Sequence, residues 1–192
     1  MLEPIAKYST RVTGVWSTRH VIFSGDGAEP ASPIGIVTVD RSGKGLVVGA
    51  RYAPQKGEVV HFRRDPGLLR SQFSMWTEGR EWLGSSLRWS FLGREIVLAT
   101  GSKPYRLLPV PGFRRGWRMV APKTGEMARI TPLLLRRGSR IEVYRKTDFE
   151  LVLFAYFVGC QILLESLWPG EEVESDRETV PTPSKAPSKT PS

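Results

Sequence analysis

The stretch that most restricts the fold runs from Phe149 to Trp168, Phe-Glu-Leu-Val-Leu-Phe-Ala-Tyr-Phe-Val-Gly-Cys-Gln-Ile-Leu-Leu-Glu-Ser-Leu-Trp. Between Glu150 and Glu165 the only strongly polar side chain is Gln161, so a helix there is apolar around its whole circumference, not along one stripe. Such a helix must be enclosed on every side, by lipid or by a closed shell of protein. Length separates the two. The 14 residues between the glutamates span about 21 Å at ~1.5 Å per residue, short of a hydrocarbon core of about 30 Å. Extension to Trp168 brings Glu165 to membrane depth at a cost of about 3 kcal/mol or more. Arg145 and Lys146 before the run, with acids after it, fit the charge pattern of a span. Length outweighs that pattern, and the sequence predicts a protein shell.

The preceding residues supply one. Short β-branched runs at Ile34–Val39 and Leu46–Tyr52 are joined by the turn residues Asp40-Arg-Ser-Gly-Lys-Gly45, which predicts a hairpin. Further runs follow at Glu58–Arg63, Leu68–Thr77, Leu87–Phe91, Arg94–Ala99, Tyr105–Val110, Gly116–Ala121, Gly125–Thr131 and Arg140–Arg145. In the run 68–77, Leu69, Ser71, Phe73 and Met75 alternate with Arg70, Gln72, Ser74 and Trp76, which is strand periodicity with one apolar face. Arg19–Ser24 reads as a first strand, residues 1–18 carry no decisive pattern, and Gly25–Pro33 is a loop by its turn residues. About ten strands at intervals near 8 to 12 residues predict a sandwich or barrel. The expected division is an N-terminal segment 1–33, a barrel with its helix over 34–170, and a tail 171–192. That tail is acidic at first and then rich in Pro, Ser and Lys, a composition that cannot bury a core.

The order of elements resembles the superfamily of Tubby C-terminal domains, phospholipid scramblases and LURP-one-related proteins. The likeness rests on Gly116-Trp-Arg-Met-Val120, Gly125-Glu-Met-Ala-Arg-Ile130, Ile141-Glu-Val143 and Glu150-Leu-Val-Leu-Phe-Ala155, with Tyr105-Arg-Leu-Leu108 before the Trp-containing strand. It covers roughly residues 34 to 168. It implies a mostly β fold, a closed antiparallel barrel of about ten to twelve strands around a central apolar C-terminal helix. Tubby domains bind phosphoinositides through basic surface residues, scramblases are linked to lipid movement and calcium, and LURP-one-related proteins have no settled activity. Ile141–Asp148 holds only Glu142 and Asp148 as acids, too few for an oxygen-ligated calcium. No cysteine-rich segment for palmitoylation is present, so scrambling is not expected.

Charge gives the functional lead. The chain carries a net +9, and with the segment from Glu171 onward at −2, residues 1–170 hold +11. Such a surplus favours an anionic partner: lipid headgroups, nucleic acid or an acidic protein. The candidate anion-binding residues are the clusters Arg114, Arg115 and Arg118, then Arg136, Arg137 and Arg140, then Arg63 and Arg64, whose guanidinium groups suit phosphate. Catalytic signatures are missing. Two histidines, His20 and His61, do not make a metal or triad site by themselves, and Gly43, Gly45 and Gly49 lack dinucleotide spacing. The single Cys160 excludes an intramolecular disulfide and sits where a thiol acts as a small hydrophobe. No enzyme, cofactor or metal is expected, in a cytoplasmic setting with peripheral membrane attachment. A binding module for anionic headgroups is the first reading. A protein-interaction adaptor is the second, and a nucleic-acid-binding barrel the third, since Trp89 and Trp117 fall on apolar strand faces and not on a stacking surface.

Overall fold

The computed structural model describes residues 3–14, 19–25, 32–43, 45–65, 72–87, 95–101, 103–111, 116–133 and 137–166. Twelve strands are formed: β1 (Ala6–Thr13), β2 (Arg19–Ser24), β3 (Pro33–Arg41), β4 (Val47–Pro54), β5 (Val60–Arg64), β6 (Phe73–Thr77), β7 (Trp82–Leu87), β8 (Ile96–Thr100), β9 (Lys103–Pro109), β10 (Trp117–Ala121), β11 (Gly125–Pro132) and β12 (Ser139–Val143). The helix α1 (Phe149–Ser166) follows. Each strand pairs antiparallel with its sequence neighbours, and β1 pairs with β12, Tyr8 opposite Ile141, to close a barrel. Closure removes every sheet edge, so no strand is left with a row of unpaired backbone groups.

The helix is the core of that barrel. Every residue from Leu151 to Val158 is buried, which is why the segment needs no polar face. Strand side chains at alternate positions point in to meet it, among them Val37, Tyr52, Phe62, Phe73, Leu98, Met119 and Ile141. Phe154 and Phe157 lie 5.3 and 5.2 Å from the Phe62 ring, and Phe157 meets Phe73 edge-on at 5.1 Å. At the start of α1, Phe149 packs on Tyr8 at 4.4 Å and on Tyr52 at 6.3 Å. Near its other end Trp117 Nε1 donates to the Gly159 carbonyl at 3.1 Å. A Cβ at position 159 would sit 2.7 Å from the indole, so only glycine lets the ring lie against the helix backbone. These contacts set the direction of α1: it rises alongside β1, from the level of Tyr8 toward the end where β10 starts.

One polar group inside is satisfied. Tyr156 Oη lies 2.7 Å from His20 Nδ1 and 3.1 Å from Thr10 Oγ1, and Ser139 N donates to the same Thr10 hydroxyl at 2.8 Å. Three strands are thereby tied to the helix, since each buried polar atom left without its partner costs about 1–3 kcal/mol. Burial pushes the Cys160 thiol, hydrogen-bonded to Tyr156, up to about 12. Burial, then the Glu150 carboxylate, pushes Tyr52 up to about 12 as well.

The closed barrel around an apolar helix is the fold the sequence predicts, and α1 is enclosed by protein from Leu151 to Val158. No helix among the described residues is long and apolar enough to cross a membrane. Several boundaries differ. Residues 1–18, without a decisive sequence pattern, contain β1, and with β2 they place the start of the barrel at Ala6 and not at 34. β2 has the bounds the sequence predicts for a first strand, Arg19–Ser24, whereas β1 is not recognisable alone, because it mixes Lys7, Ser9 and Arg11 with inward positions that are themselves polar, such as Thr10. The expected strand Leu87–Phe91 lies outside the described residues beyond Leu87, and β7, Trp82–Leu87, was not expected, because its inward positions are the small Gly84, where a Cβ would meet the Ala99 carbonyl oxygen at 2.9 Å, and Ser86. Residues 66–71, 88–94 and the tail lie outside the described residues.

Two outcomes follow from this packing. Phe154→Asp or Val158→Asp places a carboxylate in a fully enclosed site and should cost more than about 4 kcal/mol, abolishing the cooperative thermal transition. An intact melt would contradict enclosure of α1. The second concerns alkali. Tyr52 holds its proton more tightly folded than unfolded, so its contribution to stability is complete below pH 10 and is lost as pH rises through about 12. Denaturant midpoints should therefore fall between those pH values, and Tyr52→Phe should make the fall shallower.

Candidate anion-binding rim

The antiparallel order sorts the connections between the barrel's two ends. At the end toward which α1 rises lie the end of β1 and start of β2, the end of β3 and start of β4, and likewise for β5–β6, β7–β8, β9–β10 and β11–β12. The candidate residues that are described lie at or near this end, because each sits at the end of an odd-numbered strand or the start of an even-numbered one.

The closure of β1 on β12 creates the densest grouping. Arg140 faces outward on β12, opposite Thr131 on one side and Ser9 on the other. Arg11 stands two residues from Ser9 on the same outer face, a diagonal neighbour across the strand pair. Its guanidinium lies 5.7 Å from the centre of the Phe23 ring on β2. Arg137, exposed before β12, donates through Nη1 to the Gly14 carbonyl at 3.4 Å, which holds it beside the end of β1. Arg19 opens β2 opposite Thr13 and is exposed. Thus Arg137 and Arg140 are joined by Arg11 and Arg19, which lie more than a hundred residues away in sequence. No local pattern could have paired them.

Arg118 belongs to the adjoining surface. It faces outward on β10 between Leu108 and Arg129, half-buried, and its Nε is shielded from solvent with no hydrogen-bond partner among the described residues. Arg129 was not singled out from the sequence, and it is the best anchored of the group. It forms two parallel bonds to Glu126, Nε to Oε1 at 2.7 Å and Nη2 to Oε2 at 3.0 Å, and sits 5.7 Å from the centre of the Tyr144 ring. Donating these hydrogen bonds to the Glu126 carboxylate raises its already high pKa further. Tyr144 donates to Glu142 at 3.1 Å, and burial together with that carboxylate pushes the phenol up to about 12. The bulge between Met119 and Val120 lets Glu126 and Arg129 reach one another along one strand.

Arg63 and Arg64 are on β5, away from this cluster around the same end. Arg63 is exposed on the outer face. Arg64 is committed to the fold: Nη1 donates to the Val47 carbonyl at 2.9 Å and the guanidinium covers the Phe73 ring at 5.4 Å. Arg114, Arg115 and Arg136 lie outside the described residues. Among the described residues no three His, Cys, Asp or Glu side chains gather as a metal site. His20 is spent on Tyr156, and His61 faces outward opposite Arg51 and Trp76.

No family model matches the chain. No curated protein matches it either. A search of solved structures finds the X-ray structure of the Arabidopsis thaliana protein AT5G01750, of the LURP-one-related, Tubby-like type, with TM-score 0.53 and 15% identity over 86% of this chain and 93% of that one. At that identity the likeness establishes the shared barrel fold and nothing about activity.

Proposed function

We propose that the chain is a Tubby-like barrel protein of the LURP-one-related kind that acts without catalysis, binding anionic phospholipid headgroups at the cytoplasmic surface of a membrane. Element order and the structural likeness support the family. The observation that carries the function is the unequal charge of the two ends. The connections 14–18, 42–46, 65–72, 88–95, 110–116 and 133–138 join strands at the end toward which α1 rises, and their sequences hold eight Lys or Arg against two acids. The connections 25–32, 55–59, 78–81, 101–102, 122–124 and 144–148 hold five against six. A surface charge spread only for solubility has no reason to divide in this way.

Guanidinium groups bind phosphate oxygens in pairs. Each basic side chain close to an anionic bilayer contributes about 1 kcal/mol, so several at one rim give useful affinity where one does not. The attraction is screened by salt over about 8 Å at physiological ionic strength.

Cosedimentation with vesicles tests the reading. The protein should bind phosphatidylcholine vesicles containing about one-fifth phosphatidylserine, and release should follow added salt. The double variant Arg137→Glu/Arg140→Glu should bind at least about tenfold more weakly, whereas Lys123→Glu at the opposite end should match the parent. Equal binding to neutral vesicles, or no loss in the double variant, would remove the proposal.

A further inference from the structure

The point at which the chain leaves the barrel bears on the arginines of the β1–β12 seam. Trp117 opens β10 at the arginine-bearing end, and its Nε1 donates to the Gly159 carbonyl at 3.1 Å, so Gly159 is level with the start of that strand. Seven more residues carry α1 to Ser166, about 10 Å farther along its axis at ~1.5 Å per residue. The helix thus delivers the following residues to this end, and they are acidic. Residues 171–178 hold Glu171, Glu172, Glu174, Asp176 and Glu178 against Arg177 alone, a net −4. Glu171 is five residues past Ser166, at most about 18 Å of extended chain. Twelve strands spaced about 4.8 Å apart make a wall only ~10 Å from the axis, so Glu171 can meet any part of the rim. The opposite end lies about 26 Å away down an eight-residue strand such as β1, beyond its reach.

Four cations stand ready on the rim. Arg11, Arg19, Arg137 and Arg140 are exposed, and among the described residues no carboxylate pairs with any of them. The ion pairs that do form there, Arg106 with Glu95 and Arg129 with Glu126, involve other arginines. We infer that residues 171–178 bind in cis across the β1–β12 seam, their carboxylates on Arg11, Arg19, Arg137 and Arg140, as a tethered competitor for the anionic surface. The contact is a property of this chain alone; its consequence, that a membrane must displace the segment, rests on the headgroup-binding reading. Exposed ion pairs are individually weak. The short tether offsets this by holding the acids beside the rim at an effective concentration on the order of millimolar. A bilayer rich in anionic lipid presents more negative groups than the segment does and displaces it, whereas a sparsely charged one does not. The segment therefore sets the surface charge at which binding begins.

Disulfide trapping in the full chain tests the contact without a membrane. Thr13→Cys, exposed at the end of β1 opposite Arg19, is combined with Ser175→Cys in a Cys160→Ala background. With glutathione disulfide as oxidant the bond should form, and about tenfold more slowly in about 1 M salt, where screening shortens to ~3 Å. Adding Arg137→Glu/Arg140→Glu should slow it to a similar extent. Equal rates in all three cases would mean reach without docking and overturn the inference. A response to salt but not to the arginines would place the acids on Lys185 and Lys189 of the same tail and overturn it too. Vesicle binding tests the consequence. The full chain carrying Glu171→Gln/Glu172→Gln/Glu174→Gln/Asp176→Asn/Glu178→Gln should bind phosphatidylcholine vesicles containing phosphatidylserine about tenfold more tightly than the parent, and Arg137→Glu/Arg140→Glu should abolish that gain. A gain that persists without the arginines would be repulsion of the acids by the bilayer and would overturn the competition. Absence of vesicle binding in parent and variant alike would remove the headgroup reading, and the trapping rates would still decide the contact.

Discussion

The fold depends on one pairing, that of β1 with β12. An apolar helix can be kept from water only if the sheet around it is closed, and closure joins the first strand of the chain to the last. Until Ala6–Thr13 is in place, the inner face of β12 and the adjoining side of α1 are open. The Tyr156 hydroxyl fixes this seam from within, since its partners Thr10 and His20 belong to β1 and β2 and the Ser139 amide of β12 donates to Thr10. A polar group at the centre of an apolar helix thus serves to specify which strands lie against which face.

The seam also assembles the surface. Closing β1 on β12 carries Arg11 and Arg19 to Arg137 and Arg140. Structure and proposed binding are therefore not separable in this molecule: the pairing that encloses the helix is the one that concentrates charge. Not every arginine at that end is available for a ligand. Arg64 holds a β4 carbonyl and covers Phe73, and Arg129 is engaged by Glu126, so they shape the rim from within the protein.

The helix was legible in the sequence because a run without a polar face has few solutions, and β3 to β6 and β8 to β12 were legible because period-2 alternation is a local signal. So was β2, at Arg19–Ser24; β1 and β7 were less so. In β1 the inward Thr10 is polar because it serves Tyr156, and in β7 Gly84 is small because the Ala99 carbonyl and the Thr100 side chain lie against it, while Ser86 bonds the Phe73 backbone. Polarity and size at those positions answer to partners far along the chain. Among the candidate residues, clusters contiguous in sequence were found, whereas Arg11, Arg19 and Arg129 were not, since nothing in their neighbours marks them.

By itself the sequence determined that the apolar run after Phe149 has to be enclosed on every side, because solvation of an apolar helix is a property of the helix alone. It also determined that the body of the chain is basic, because charge is a sum over residues. Only the tertiary structure decided where that charge collects and which arginines are already engaged. Those depend on strand direction and on register across the β1–β12 seam, and a distance between residues 11 and 140 is set by chain closure, not by anything written near either one.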